Sequence, residues 1–243
     1  MPLPDLPPPY GTIVFDCDST LSAMEGIEVL ASAAHAAEIA RLTAAAMNGT
    51  IPIDEVFGRR LDLIRPTQHD VERIGREYIA RALSPARELV AALRALGKRV
   101  VIVSGGLLPA VRHFGQHLGV DEVHAVDIAF DAHGRYAGFD DRSPLVRAGG
   151  KMAILRSLEP AAQRDGIVLV GDGVTDLEAA PLARRFVAFG GVVRRDAVFR
   201  EATVTTTSAD LRDLVPLLLS PAEIRRLADL DDHAGLARPH LHA

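Results

Sequence analysis

Apolar residues in this chain follow two different periods. Unbroken apolar runs rich in β-branched residues occur at Thr12-Ile13-Val14-Phe15, Val100-Val101-Ile102-Val103 and Ile167-Val168-Leu169-Val170. Such runs predict strands buried on both faces of a parallel sheet. Between them the spacing turns helical. One helix is predicted over 86–96, with Ser84 as N-cap, Pro85 in the first turn and Gly97 past its end. Others are predicted over 108–118 and from Gly150-Lys151 onward, with short strands near 123–125, 186–189 and 203–206. Repeated strand–helix units with right-handed crossovers imply an α/β fold built on a doubly wound parallel sheet.

Residues 23–82 depart from that alternation. Ala31, Ala34, Ile39, Leu42 and Ala46 predict a helix pair, and Val56, Leu61, Ile64 and then Val71, Ile74, Tyr78 predict more. Gly49-Thr50-Ile51-Pro52 and Arg65-Pro66-Thr67 punctuate the stretch. With no strand signal, 22–83 reads as a helical cap domain inserted into a core formed by 10–21 and 84–220. Residues 126–140 predict a small β-hairpin flap with His133-Gly134 at its turn. The proline-rich residues 1–9 read as a disordered lead-in, and 221–243 as a polar, partly helical extension whose His233, His240 and His242 are solvated.

Composition narrows the class. A chain of 243 residues, 48% hydrophobic and 24% charged, can bury one good core with a smaller module beside it. A net charge of -5 argues against a nucleic-acid or anionic-membrane partner. Cys17 is the single cysteine, so no intramolecular disulfide forms and a reducing compartment fits. No signal-peptide pattern precedes Tyr10, and no apolar run reaches the roughly 18 residues of a membrane span. A cytoplasmic monomer or homodimer is expected.

The chemistry sits at strand ends. The first run stops in Asp16 and Asp18, the second in Ser104-Gly105-Gly106, the third in Gly171-Asp172 with Asp176 beyond. Any one of these is an ordinary turn or cap residue; three sets at the ends of three buried strands point to one site, since open α/β sheets bind ligands there. Two carboxylates at about 4 Å and an effective dielectric of about 20 repel by roughly 4 kcal/mol. A hard divalent ion such as Mg²⁺, held by a few such oxygens, would offset that repulsion. Ser104 with the N–H groups of Gly105 and Gly106 can donate to a phosphate, and Lys151 adds a positive charge. An EF-hand fails, because Leu21 and Ile27 stand where that loop needs Gly and Glu. His113 and His117 are spaced as a helical metal pair, but no acidic or cysteine partner lies at ligand spacing.

Asp16-Cys17-Asp18-Ser19-Thr20, Ser104-Gly105-Gly106, Lys151 and Gly171-Asp172-Gly173-Val174-Thr175-Asp176 resemble, in order, the four motifs of the haloacid dehalogenase (HAD) superfamily. Glu25-Gly26-Ile27-Glu28, Ala46-Met47, Arg60-Leu61, Tyr136-Ala137-Gly138-Phe139-Asp140, Gly149-Gly150-Lys151 and Phe189-Gly190-Gly191 narrow the resemblance to its phosphoserine phosphatase family, over about residues 10–217. The resemblance implies hydrolysis of O-phosphoserine, the last step of serine biosynthesis. Asp16 would be the nucleophile that becomes an aspartyl-phosphate, and Asp18 the general acid and then base. Mg²⁺ would be held by Asp16, Asp172 and the backbone carbonyl of Asp18, with Asp176 supporting them. Ser104, Gly105 and Lys151 would bind phosphate oxygens, and Thr175 phosphate or substrate. Glu25 would take the substrate ammonium and Arg60 its carboxylate, with Met47 and Ile53 beside them. Ile53 and Leu107 stand where the family usually has Phe. Phosphatases for other small phosphorylated amines, phosphotransferases and a non-catalytic binder on the same fold stay open. Cys17 should be packed and unreactive.

Overall fold

A strand of apolar or β-branched residues buried on both sides belongs in the middle of a sheet, and Thr12–Phe15, buried throughout, lies there. The computed structural model describes residues 3–162 and 166–236. In chain order, β1 (Thr12–Phe15) is followed by α1 (Gly26–Val29), α2 (Ala36–Met47), α3 (Ile53–Ile64) and α4 (Gln68–Ala80). Then come α5 (Ala86–Ala95), β2 (Arg99–Leu107), α6 (Leu108–Leu118) and β3 (Glu122–Val126). The hairpin β4 (Ile128–Phe130) and β5 (Tyr136–Phe139) leads to α7 (Gly150–Ala162), β6 (Ile167–Gly171) and α8 (Val174–Ala179). The chain closes with β7 (Arg185–Phe189), α9 (Asp196–Glu201), β8 (Val204–Thr206), α10 (Val215–Leu218) and α11 (Pro221–Ala228).

The main sheet has six strands in the order β3-β2-β1-β6-β7-β8, every pair parallel. The chain winds outward from β1 in one direction through β2 and β3, then returns to its other side at β6. That reversal opens a crevice beyond the carboxyl end of β1. Phe15 is level with Ile102 on one side and Val170 on the other. Asp16, Ser104 and Asp172 therefore stand within a residue of one another along three neighbouring strands. Among the described residues, no helix is long and apolar enough to cross a membrane.

The chain enters and leaves the helices α1–α4 through one neck. Ala23 N–H donates to the Arg81 carbonyl at 2.8 Å and Leu83 N–H to that of Leu21 at 2.9 Å. From there α4 packs on α6, with the Tyr78 and Phe114 rings stacked 5.6 Å apart, so its apolar face joins the main core. Leu42, Ala46, Ile53 and Val56 form a small apolar cluster of their own between α2 and α3.

Five expectations need correction. The second strand does not stop at Ser104: β2 runs on to Leu107, with Val103 opposite His124 and Leu107 opposite Val126. Four steps along β2 face two along β3, and this bulge absorbs the glycines that read as a break. Ser84 does not cap α5; Pro85 holds that position, and the Ser84 carbonyl accepts from Leu211 N–H at 2.9 Å. Ala31 and Ala34 precede α2, which begins at Ala36. Alanine buries too little surface for its spacing to locate a helix end. The lead-in is tied down: Leu6 N–H donates to the Arg184 carbonyl at 2.8 Å, and Asp5 pairs with Arg185 at 2.7 Å. Residues 1–2 of the lead-in, and His240 and His242, lie outside the described residues. His233 is half-buried rather than solvated.

The helix α11 is fastened beneath the sheet by charge. Lys98 Nζ donates to the Tyr10 carbonyl at 2.7 Å and to Glu223, which also completes a capping box with Ser220. The two side chains are 7% and 13% exposed. Removing one partner of a buried pair strands the other charge, so Lys98→Met should cost about 3 kcal/mol in denaturant unfolding. Burial acts to raise the Glu223 carboxyl, but hydrogen bonds from Lys98 and Ser220 hold it below the ordinary range. Its stabilising contribution is therefore present above the unfolded carboxyl's titration and lost as pH falls through the folded one. In Lys98→Met that acid sensitivity should shrink; an unchanged unfolding curve at both neutral and acid pH would refute the tie.

Candidate active site

The end of β1 delivers Asp16, only 5% exposed, into the crevice. One carboxylate oxygen accepts from Cys17 N–H at 2.7 Å and the other meets Lys151 Nζ at 2.9 Å. Lys151, in the first turn of α7, also donates to Asp176 at 2.7 Å. Oxygens of Asp16, Asp172 and Asp176 lie within 4.8 Å of one another, the one cluster of potential metal ligands found among the described residues. Burial pushes the carboxyls of Asp172 and Asp176 up, and the charge on Asp16 adds to this, against Arg195 and Lys151 respectively. Three buried hard-oxygen donors held at this cost suit a divalent cation. Gly171 permits the approach, since a Cβ there would stand 2.2 Å from the Asp176 carboxyl carbon.

Asp18 faces another way. Its Oδ1 accepts from Gly26 N–H at 2.6 Å and the Tyr78 hydroxyl at 2.7 Å, and its Oδ2 from the Ser104 hydroxyl at 3.3 Å. Burial, then the Asp16 charge, raises its carboxyl, against those three hydrogen bonds. The Asp18 carboxylate is thus outside the metal-ligand cluster and turned toward donors. Gly26 fits because any side chain would strike the Tyr78 hydroxyl, 2.1 Å from a built Cβ. Ser104 is fully buried and also accepts from Gly106 N–H at 2.9 Å, while Gly105 and Gly106 line the pocket.

The pocket brings together most residues singled out from the sequence: Asp16, Asp18, Glu25, Met47, Ile53, Arg60, Gly105, Lys151 and Thr175. Leu145 and Arg147, ahead of α7, complete it with Ile27 and Gly106. Leu107 is buried and not part of this wall. Cys17 is fully buried, and desolvation with the neighbouring Asp18 and Asp16 charges pushes its thiol well up, as its packed position requires. Glu25 is held through a single oxygen, which accepts from Ser19 at 2.8 Å and Arg195 at 3.0 Å.

Arg195 and the Tyr78 hydroxyl are among the contributors that escaped the sequence reading. Arg195, just before α9, is buried and bridges Glu25 to Asp172, donating to the latter at 2.7 Å. In sequence it is half of an Arg194-Arg195 pair that reads as exposed. The signal was positional: β7 neighbours β6 and also ends in glycines, so the loop after it reaches the same crevice. Tyr78 read as a core residue by its helical period and is one, with its hydroxyl on Asp18.

A buried carboxylate in contact with a lysine, two further carboxylates beside it and a protonatable partner outside that cluster form a set that can transfer a phosphoryl group. Residues 13–181 match the haloacid dehalogenase-like hydrolase family. The chain belongs to it. Within this family the chain is 36% identical over 189 residues to a phosphoserine phosphatase of Mus musculus, covering 76% of this chain and 84% of that one. To the phosphoserine phosphatase of Drosophila melanogaster it is 36% identical over 199 residues, covering 80% and 74%. A solved structure described as a phospho-aspartyl intermediate analogue of phosphoserine phosphatase superposes with a TM-score of 0.75 at 25% identity, covering 87% of this chain and all of that one.

Proposed function

We propose that this HAD-family phosphatase is a Mg²⁺-dependent hydrolase of O-phosphoserine, supplying serine at the end of its biosynthesis. The observation that carries the substrate is Arg60. Its guanidinium faces the pocket, is 4% exposed, and leaves Nε without a partner. A buried cation without a carboxylate partner calls for an anion from outside. Glu25 lines the same pocket with the opposite charge, and Asp16 and Lys151 lie at its base. One small molecule with a carboxylate, an ammonium and a phosphate would match all three.

The residues divide the work as follows. Asp16 attacks phosphorus, forming the aspartyl-phosphate as the bond to the serine oxygen breaks, and Asp18 gives that oxygen its proton. Asp18 then takes a proton from water, whose oxygen attacks phosphorus and returns Asp16 as a free carboxylate. Lys151 and the Gly105 N–H bind the phosphate oxygens. Mg²⁺, held by Asp16, Asp172 and the Asp18 carbonyl, would neutralise charge on the phosphate. The α1–α4 insertion would act as a cap that excludes water. The cytoplasm, where the single buried thiol stays reduced, fits this role.

Phosphate release from a substrate panel tests the proposal. Phosphoserine should exceed phosphoethanolamine, which lacks the carboxylate, and 3-phosphoglycerate, which lacks the amine, by at least about tenfold in kcat/KM, the worth of one charged contact. Equal rates across the panel would leave only the family activity standing. Chelation with EDTA should abolish turnover and added Mg²⁺ restore it; full activity in chelator would exclude the metal.

A further inference from the structure

Arg60 is not held by an ion pair. Its Nη1 donates to the Thr43 hydroxyl at 3.0 Å, and its Nε has no partner. Thr43 is 2% exposed, on the face of α2 that meets α3. Glu28 on α1 lies near both: burial pushes its carboxyl up, and the Thr43 hydroxyl, then the Arg60 charge, pull it down. Three consecutive helices therefore contribute a carboxylate, a hydroxyl and a guanidinium in series.

The polarity of this series is fixed by chemistry. A guanidinium only donates and an ionised carboxylate only accepts, so the hydroxyl accepts from Arg60 and keeps its proton for Glu28. Arginine and carboxylate left to themselves form a bidentate pair, and a desolvated guanidinium has every reason to seek one. The threonine stands between them.

We propose that Thr43 is a positioning residue that keeps Arg60 from pairing with Glu28 and so leaves the guanidinium open toward the pocket for the substrate carboxylate. Glu28 orients the hydroxyl and, through it, contributes to Arg60 without neutralising it. The assignment rests on the phosphoserine reading above and adds a specificity determinant to it. Ser could supply the hydroxyl, whereas Ala removes it and opens room for Arg60 to reach Glu28.

The test is a comparison of KM and kcat for phosphoserine and phosphoethanolamine. Thr43→Ala should raise KM for phosphoserine about tenfold, as loss of a hydrogen bond to a charged group does, and leave phosphoethanolamine unchanged. Thr43→Ser should behave as wild type. Adding Glu28→Gln to Thr43→Ala should recover selectivity, because the competing carboxylate is gone; a residue needed only for packing would not be rescued this way. Should Thr43→Ala fail to fold, Thr43→Val, which removes the hydroxyl and leaves no void, should still raise KM for phosphoserine alone, because Arg60 loses its hold without gaining room to reach Glu28. Unchanged selectivity in Thr43→Ala and Thr43→Val, or an equal rise in both KM values, overturns the assignment while leaving the substrate in place. A wild-type enzyme indifferent to the carboxylate would instead overturn the substrate.

Discussion

Asp16→Asn abolishes turnover while the protein stays folded: phosphate release is expected to fall by about 10⁴ or more, the scale seen when a nucleophile is removed. Asn has the shape of Asp but lacks the charge that attacks phosphorus. No other carboxylate can take over, because Asp18 is tied to Gly26, Tyr78 and Ser104, and Asp172 and Asp176 are engaged by Arg195 and Lys151. The same change removes one of the charges crowded within 4.8 Å, so the unfolding midpoint measured without metal should hold or rise. Intact mass after an acid quench gives a second reading. Wild type caught in turnover should carry one phosphoryl group and Asp16→Asn none. A phosphorylated Asp16→Asn protein, or one with ordinary turnover, would falsify the mechanism.

Arg60→Ala is the second large effect, and it separates binding from stability. Losing a bidentate charged contact of about 3 kcal/mol should raise KM for phosphoserine by about 100-fold, with phosphoethanolamine barely affected. Stability should move the other way or not at all. The guanidinium is desolvated, makes one hydrogen bond to a hydroxyl and leaves Nε unsatisfied, so its burial is poorly compensated in the free protein. Thermal unfolding with and without phosphoserine distinguishes the two effects. A large loss of stability together with equal KM changes for both substrates would make Arg60 a packing residue.

The parts of the site legible in the chain are those carried on strand ends. A run such as Thr12–Phe15 states its own burial, and parallel sheets bind at one edge, so Asp16, Ser104 and Asp172 were found by position. Side-chain direction was not legible. Nothing in the spacing of Asp16 and Asp18 says that one joins the carboxylate cluster and the other turns to Tyr78; that depends on a helix sixty residues on. Arg195 was hidden because a charge pair in a loop looks solvated until its neighbours are known. Thr43 was hidden among alanines, since a hydroxyl matters only when a cation and an anion arrive from two other helices. The run through Ser104-Gly105-Gly106 misled for a local reason: glycines that mark the ends of β6 and β7 form a bulge inside β2.

The apolar cluster of Leu42, Ala46, Ile53 and Val56, separate from the main core, has an evolutionary consequence. Ile53 belongs both to that cluster and to the pocket wall, close to Met47 and Arg60, whereas Asp16 and Lys151 rest on residues packed around β1. Substitutions in the small cluster can reshape what the pocket admits without disturbing the packing beneath the nucleophile. Descendants of such a chain can drift in the molecule they select while inheriting the same reaction.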